Sequence, residues 1–253
     1  MRVRQVENLL DLLEVYARQK TPLTLTALSK ALDIPKSSTF NLIETLLARG
    51  FLYETRPRGG FYPTGRLLDL ARAMTEGDTL LQRIHGELEA LAEETGETTL
   101  LAVRDHADVV YVDVVESQAH IRYFAKVGDR RPIYTTSSGK AILTTYPPAE
   151  RERILSALSY VPHQETTVRN ARELEQRLEE AMARGWCEDH AEFTPDVMGL
   201  GIPVFDGERR FGLAVAGPLY RLLGRRADIA AMLRAARERI QRIMGRGTFV
   251  QAG

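Results

Sequence analysis

The stretch from residue 34 to residue 52, IPKSSTFNLIETLLARGFL, constrains the fold most, because it predicts a short helix with a sharp start. Pro35 lacks a backbone N–H and prevents an earlier helix from continuing, and Ser37 or Ser38 is expected to cap the new one. Gly50 stands where a helix favours a left-handed residue after its last turn. The spacing of three and four residues predicts a buried face made of Thr39, Leu42, Ile43, Leu46 and Leu47.

The opposite side of this helix carries small side chains at the same spacing, namely Ser38, Asn41, Thr45 and Ala48, with Glu44 as the one charged exception. Such a face suits close approach to a groove of duplex DNA, where amides and hydroxyls meet base edges and phosphates. The alternative is an ordinary helix of a packed bundle, so the neighbouring segments decide between the two interpretations.

Two further helices are predicted before this one. The first is amphipathic and carries Val3, Val6, Leu9, Leu10, Leu13 and Tyr16. The second is capped by Thr24 or Thr26 and carries Leu25, Leu28 and Leu32. A tight turn from Asp33 to Pro35 then leads into the third helix. Three short helices in this arrangement are typical of a helix-turn-helix, whose third helix enters the major groove.

A β-hairpin is predicted directly after the third helix. Strand-like residues 51–54 and 61–63 flank a turn at residues 56–60, and this turn contains Arg56 and Arg58. Arginines at such a tip bind phosphates or enter a minor groove, although a plain surface hairpin is the alternative. A linker helix follows over residues 67–74, and Gly77 with Asp78 is expected to break it. The predicted domains are therefore residues 1–65, the linker helix at 66–77, and residues 78–253.

Composition limits the class of protein. The 253 residues are enough for two domains, and the single cysteine fits a reducing compartment without disulfides. The sequence lacks a membrane-length apolar run and an N-terminal signal core, so a cytoplasmic protein is expected. The net charge is zero, but residues 1–75 hold eleven Lys and Arg against seven Asp and Glu. A polyanionic partner would therefore bind the front of the chain.

The rear of the chain alternates strand-like and helix-like segments, which predicts an α+β domain with helices packed on an antiparallel sheet. The predicted strands are residues 98–103, 109–115, 121–127, 199–205 and 210–216. The predicted helices are residues 79–95, 137–143, 149–158, 171–184 and 227–244.

Two clusters of residues contain side chains that enzymes use in catalysis. Ser138-Gly139-Lys140 lacks the first glycine of a phosphate-binding loop, since Tyr134 stands there, so nucleotide hydrolysis is not expected. Lys140 is instead expected on a helix flank, paired or solvated. The second cluster is Cys187, Asp189, His190 and Glu192. It leaves open a metal- or thiol-dependent enzyme, with the front as an oligomerisation module, or a redox sensor, but the residue spacing does not match known zinc sites.

Nearly the whole chain resembles the IclR family of bacterial transcriptional regulators. The resemblance depends on the third-helix stretch and on four rear motifs: Ser138-Gly139-Lys140-Ala141, Gly185-Trp186 followed by Asp189 and Glu192, Ile202-Pro203-Val204, and Ala216-Gly217-Pro218. It implies an N-terminal winged helix-turn-helix joined by a linker helix to a C-terminal GAF-like α+β effector-binding domain. It also implies a homodimer or homotetramer on a palindromic operator near catabolic genes, with no enzymatic activity, cofactor or metal.

The residues expected to contact DNA are Thr26, Lys36, Ser37, Ser38, Thr39, Asn41, Thr45, Arg56 and Arg58. The family often carries arginine at the position of Asn41. Arginine favours guanine, whereas asparagine bonds adenine bidentately, so the operator sequence is expected to differ.

The resemblance places an effector pocket at His120, Tyr123, Ser137, Ser138, Asp189, Val197, Gly199, Ala214 and Ala216. In relatives that bind small oxo-acids, the positions of Gly199, Ala214 and Ala216 resemble Cys, Ser and Ser. We therefore expect a larger and less polar pocket that prefers an aromatic or bulky carboxylic metabolite. Ser137 and Ser138 are expected to offer hydroxyls and free helix amides to its carboxylate, His120 to supply charge, and Asp189 to accept a ligand hydroxyl.

Overall fold

The computed structural model describes residues 3–57, 59–75, 79–205 and 207–247. The chain divides into two compact units, residues 1–78 and residues 79–253, which are described separately below. Two sequence predictions concern residues outside the described ranges: the DNA contact of Arg58, and the helix break at Gly77 and Asp78.

The front unit has the predicted order of three helices, a hairpin and a linker helix. Its elements are α1 (Arg4–Gln19), α2 (Leu25–Leu32), α3 (Lys36–Ala48), β1 (Leu52–Glu54), β2 (Phe61–Pro63) and α4 (Arg66–Thr75). β1 and β2 pair antiparallel, with Tyr53 opposite Tyr62. The helix-turn-helix with a β-hairpin wing is thus confirmed.

Helix starts and ends in this unit follow local chemistry. Thr24 caps α2 by accepting a hydrogen bond from the backbone N–H of Ala27 at 3.2 Å. Asp33 adopts a left-handed φ of 51° in the turn before α3. The expected serine cap of α3 was wrong: the helix begins at Lys36 directly after Pro35, with no side-chain cap. The fixed φ of proline already directs the chain into the helix.

The front core lies between the three helices and the hairpin. Its buried residues are Leu12, Val15, Tyr16, Leu23, Leu28, Ile43, Leu46 and Leu52. The Tyr16 hydroxyl donates a hydrogen bond to the carbonyl oxygen of Phe61 at 3.0 Å and so ties the hairpin to α1. Leu23 also forms an isolated antiparallel bridge with Phe61. These contacts fix the hairpin relative to the helices of its own unit.

The rear unit is an α+β domain built on one antiparallel sheet, as predicted. Its strands are β3 (Thr98–Asp105), β4 (Asp108–Val115), β5 (Arg130–Pro132), β6 (Cys187–His190), β7 (Val197–Phe205) and β8 (Arg210–Pro218), in the order β5-β4-β3-β8-β7-β6. Its helices are α5 (Thr79–Thr95), α6 (Ser137–Leu143), α7 (Pro148–Ser156), α8 (Ala171–Arg184), α9 (Leu219–Leu222) and α10 (Arg226–Gly247).

Helices cover both faces of this sheet, because successive strand residues point to opposite sides. Leu101 lies in a core with residues of α5 and α10, such as Leu88 and Leu233. Its neighbour Leu100 lies in a second core that includes Leu143 of α6 and residues of α8. The second core contains the pocket described below.

The predicted strand at residues 121–127 was wrong. Tyr123 and Ala125 are buried, but the segment forms no strand, and the carbonyl of Tyr123 accepts a hydrogen bond from the Thr98 hydroxyl at 2.6 Å. The short β5 pairs with β4 in its place, with Val109 opposite Arg131. Conversely, residues 187–190 form the edge strand β6, which is not among the strands predicted from the sequence.

Candidate nucleic-acid interface and ligand pocket

The small polar face of α3 is on the surface of the front unit. Ser38, Asn41, Thr45 and Ala48 are all exposed, while Ile43 and Leu46 on the other side are buried. The Thr45 hydroxyl donates a hydrogen bond to the carbonyl oxygen of Asn41 at 2.7 Å. The helix therefore presents an amide, hydroxyl oxygens and methyl groups at the surface, and Arg4 of α1 lines the same groove as Ser38, Asn41 and Thr45.

Thr39 does not belong to this exposed face. Its side chain is fully buried, and its hydroxyl donates a hydrogen bond to the carbonyl oxygen of Pro35 at 3.1 Å. A threonine satisfied by its own helix backbone is tolerated in a core. The structure therefore contradicts the expectation that Thr39 contacts DNA, and agrees with its place in the apolar stripe.

The other described candidates for DNA contact lie on the surface of the same unit. Lys36 and Ser37 are exposed in the first turn of α3, Thr26 is exposed in the first turn of α2, and Arg56 is exposed after β1. These exposed groups provide cations and hydroxyls suited to phosphate oxygens.

A small cavity lies where α6 packs on the sheet of the rear unit. Eight of the nine residues expected in the pocket line it: Tyr123, Ser137, Ser138, Asp189, Val197, Gly199, Ala214 and Ala216. The ninth, His120, is exposed and does not line the cavity. Sequence reasoning missed six lining residues: Leu100, Tyr111, Arg131, Thr136, Phe193 and Thr194.

The cavity has a volume of about 20 Å³, which is room for about one water molecule. The expectation of an enlarged pocket is therefore wrong for this conformation. The reason lies at Gly199, where an added Cβ would approach the Ser137 Oγ to 2.6 Å. Ser137 thus occupies the volume that a larger side chain at position 199 would fill.

Helix α6 lies unusually close to the sheet because two facing positions are glycine. A Cβ at Gly212 would lie 2.2 Å from the carbonyl oxygen of Ser138, and one at Gly201 would lie 2.7 Å from the Ser137 carbonyl. One of the backbone N–H groups at the start of α6 already has a partner, since the Thr136 hydroxyl accepts a hydrogen bond from the Gly139 N–H at 3.0 Å. The expected supply of free amides at this helix start is correspondingly reduced.

Asp189 is the buried acid of the cavity. Burial raises its pKa to about 7, nearby Glu192 adds to the rise, and Lys140 acts against it. One carboxylate oxygen accepts a hydrogen bond from the Glu192 backbone N–H at 2.9 Å. Near neutral pH the group is thus poised between a carboxylate that accepts hydrogen bonds and a carboxyl that donates one.

Two tyrosines form another wall of the cavity. The hydroxyls of Tyr111 and Tyr123 lie 3.4 Å apart, and burial raises the pKa of Tyr111 well above its usual value. The Tyr111 phenol is therefore neutral at physiological pH. The two tyrosines offer hydroxyl groups and aromatic surface to a ligand.

Lys140 is paired, as expected, but it is buried rather than on a solvated flank. Its ammonium forms an ion pair with Glu192 and donates a hydrogen bond to the carbonyl oxygen of Glu188 at 2.9 Å. Arg177 also contacts Glu192, with 3.1 Å between Nη1 and Oε1. Because a buried charge is costly without partners, these contacts hold the segment after β6 against α6 and α8.

In the cluster around Cys187, the thiol is buried and the imidazole is paired. Cys187 is buried, and burial raises the pKa of its thiol to about 12, which disfavours the nucleophilic thiolate. His190 is engaged with Glu188, at 2.7 Å between Nε2 and Oε2. Within the described ranges, no group of three or more His, Cys, Asp and Glu side chains is placed to hold a metal ion.

No described helix combines the length and apolar character needed to cross a membrane.

Comparison with known proteins agrees with this architecture. The chain is 28% identical over 240 residues to the HTH-type transcriptional regulator BhcR of Paracoccus denitrificans, covering 93% of this chain and 86% of that protein. The Thermotoga maritima IclR structure matches with a TM-score of 0.80 at 23% identity, covering 96% of this chain and all of the other (100%). An IclR homologue from Microbacterium hydrocarbonoxydans, solved with 4-hydroxybenzoate, matches with a TM-score of 0.71 at 22% identity, covering 94% and 98%.

Two family models divide the chain between them. The IclR helix-turn-helix domain matches residues 5–56, which include α1 to α3 and β1. The IclR C-terminal domain of bacterial transcriptional regulators matches residues 73–242, which include the sheet and the cavity. These matches show that the chain belongs to the IclR family of bacterial transcriptional regulators.

Proposed function

We propose that this protein regulates a catabolic operon in the bacterial cytoplasm by binding a palindromic operator, and that a carboxylic metabolite in its rear domain changes the operator affinity. It acts by binding alone, without enzymatic activity, cofactor or metal. The observation that carries the proposal is the exposed, small and polar face of α3, centred on Asn41.

The DNA contacts of the proposal follow from the chemistry of the exposed groups. Ser38, Asn41 and Thr45 read base edges in the major groove, and the asparagine amide suits adenine. Lys36 and Arg56 bind phosphates, which set orientation and most of the affinity. Ser37 and Thr26 add hydroxyl contacts to the backbone.

Self-association is supported by apolar surface on two helices of the front unit. Val3, Val6 and Leu10 recur one to two turns apart at the start of α1 and are each more than half exposed, at 53%, 53% and 54%. On α4, Leu67, Leu68, Leu70 and Met74 are exposed as well. Contiguous exposed apolar side chains mark interaction surfaces, and a two-fold dimer matches a palindromic site.

The ligand is proposed to be a monocarboxylic acid with an aromatic or other bulky apolar body. Leu100, Tyr111, Tyr123 and Phe193 supply the apolar and aromatic walls for such a body. The IclR homologue solved with 4-hydroxybenzoate has the same fold and carries an acid of this kind. Because the cavity holds about one water molecule, the ligand enters by displacing part of its wall.

Regulation follows if the protein with an opened pocket and the protein with a closed pocket differ in their affinity for the operator. A coupling free energy of about 1–3 kcal/mol would change that affinity by about 5- to 150-fold.

Selection of bound duplexes from a random-sequence DNA pool by the full-length protein tests the proposal. We expect enrichment of a palindrome with half-sites separated by about one helical turn, and an affinity that falls steeply with salt. A pool that remains random after repeated selection, or an affinity insensitive to salt, would contradict the proposed function.

A further inference from the structure

We propose that Arg131 is the residue that binds the carboxylate of the ligand in the rear cavity, and that it selects singly charged acids. This inference rests on the proposed function, because it assigns one role within the effector pocket. Nothing in the resemblance or in the sequence motifs pointed to this residue, which lies on the three-residue strand β5.

The side chain of Arg131 contains an unused hydrogen-bond donor. Within the described part of the chain, Nε of Arg131 is buried and has no hydrogen-bond partner. Its Nη1 donates to the carbonyl oxygen of Arg130 at 2.7 Å, whereas Nη2 lies as far as 3.5 Å from the Asp129 carboxylate. A buried donor without a partner costs about 1–3 kcal/mol and is rare in native proteins, so it calls for an explanation.

A bound carboxylate supplies that explanation. The Nε and Nη2 atoms lie on one edge of the planar guanidinium and form the fork that matches the two oxygens of a carboxylate. Arg131 lines the cavity, so an acid there would satisfy Nε directly and replace the long contact of Nη2. A neutral amide of the same shape would offer one accepting oxygen, but neither the second oxygen nor the negative charge that the guanidinium fork matches.

The charges around the cavity define the class of acid. Among the described residues that line it, Arg131 is the only cation and Asp189 the only acid. Lys140, although close to Asp189, is engaged with Glu192 and the Glu188 carbonyl. One cation and one acid in the lining suit a single negative charge, because a second negative group would add to the negative charge that Asp189 brings to the cavity.

Phe193 keeps the guanidinium in place. The guanidinium carbon of Arg131 lies 5.2 Å from the centre of the Phe193 ring, a distance typical of cation–π contact. Phe193 in turn packs against His163, with ring centres 4.8 Å apart. Phe193 therefore positions Arg131 and also forms the wall that must give way to a ligand body.

The test uses the full-length protein with benzoate and its neutral isostere benzamide, together with phenylacetate and pyruvate, measured by calorimetry and thermal shift. Phthalate, a dicarboxylate of similar width, probes charge selection. We expect benzoate or phenylacetate to bind, and benzamide and phthalate to bind at least about tenfold more weakly, as loss of one charge-assisted contact implies.

Three variants assign the effect to Arg131. Arg131→Gln should weaken acid binding by about tenfold or more, and Arg131→Lys, which keeps the charge but loses the fork, should also weaken it. Arg130→Gln is the matched control, because the neighbouring Arg130 is half exposed and pairs with Asp105 and Asp108 outside the cavity. It should bind acids like the wild type. If Arg131→Gln fails to fold, the acid affinity of the Arg131→Lys protein tests the role of Arg131 instead.

The outcomes separate this inference from the proposed function. Unchanged acid affinity in Arg131→Gln or Arg131→Lys overturns the role of Arg131. Equal binding of benzamide and benzoate, or no acid binding to the wild type, overturns carboxylate recognition. In each case operator selection still measures the DNA-binding role independently. Failed operator selection, together with acid binding that depends on Arg131, would contradict only the regulatory role.

Discussion

The hydroxyl of Thr45 donates a hydrogen bond to the main-chain carbonyl of Asn41, 2.7 Å away and one turn earlier on the exposed face of α3. Its proton is therefore committed to the helix backbone, and the side chain presents a methyl group and an accepting oxygen outward. Next to it, the Asn41 amide offers both a donor and an acceptor. The pair provides the two kinds of group that distinguish base edges in a major groove.

The wing arginine Arg56 should contribute affinity without sequence preference. Because a phosphate contact carries no base information, Arg56→Ala should weaken binding about equally to all duplexes and reduce the salt slope by about one. Fluorescence anisotropy across a salt series measures both quantities. Arg153→Ala, an exposed arginine of α7 in the rear unit, is the control and should leave the slope unchanged. An unchanged slope in Arg56→Ala would exclude the phosphate contact.

The apolar surface of α1 should support assembly. Leu10→Glu places a charge on the exposed apolar side of this helix and should weaken binding to a palindrome by about tenfold or more, with little effect on a single half-site. Gln19→Glu adds the same charge at an exposed polar position of the same helix and serves as the control. Sedimentation analysis should show a smaller species only for Leu10→Glu. Equal loss on palindrome and half-site would point to misfolding of the front unit instead.

The close approach of α6 to the sheet should make Gly212 intolerant of any side chain. A Cβ there would lie 2.2 Å from the Ser138 carbonyl oxygen, so Gly212→Ala should lower the free energy of unfolding by about 1–3 kcal/mol or more. Gly86→Ala is the matched control, because a Cβ at this α5 position meets no atom within 4 Å and should stabilise the helix by about 0.5–1 kcal/mol. Urea unfolding followed by the fluorescence of the single tryptophan, Trp186, reports on the rear unit. Equal stability of the two variants would contradict the tight packing.

The buried Asp189 should make the rear unit less stable as pH rises. Its pKa is about 7 in the folded protein against 3.8 for an ordinary aspartate, so the folded state binds more protons between these values. The free energy of unfolding therefore falls as pH rises through this range, by up to about 4 kcal/mol. The groups that act on Asp189 are Lys140, Glu192 and His190.

Asp189→Asn keeps the hydrogen-bond acceptor for the Glu192 N–H and removes the titration. Urea unfolding at pH 5 and pH 8 should then show a smaller loss of stability in the variant than in the wild type. An identical loss in both proteins would exclude Asp189 as its source.

The sequence predicted those parts of the fold that depend on local periodicity. The apolar and polar faces of α3, the hairpin and the alternating strands of the rear unit are set by residue spacing, and the structure has them. Thr39 shows the limit, since threonine is compatible with core and surface alike: its spacing predicts the buried face, whereas its hydroxyl suggested a DNA contact. Its burial follows from packing against the other helices of the unit.

Tertiary placement could not be predicted in the same way. Arg131 lies on a strand of three residues, too short and too polar for a periodic signal, and only the register opposite Val109 brings it to the cavity. Phe193 reaches the pocket through an irregular segment. The strand-like composition of residues 121–127 was misleading because β5 pairs with β4 at the edge next to it. The loss of side-chain volume at Gly199 suggested a void, whereas Ser137 occupies that volume.

The central claim, that the small polar face of α3 lies against duplex bases, is tested most directly by repeating the operator selection with Asn41→Ala. Glu14→Gln, an exposed change on α1, is the control. We predict that Asn41→Ala loses about 1–3 kcal/mol of binding to the selected operator and relaxes its preference at one position of each half-site, which Glu14→Gln leaves intact. An Asn41→Ala protein with the operator affinity and base preference of the wild type would contradict the claim.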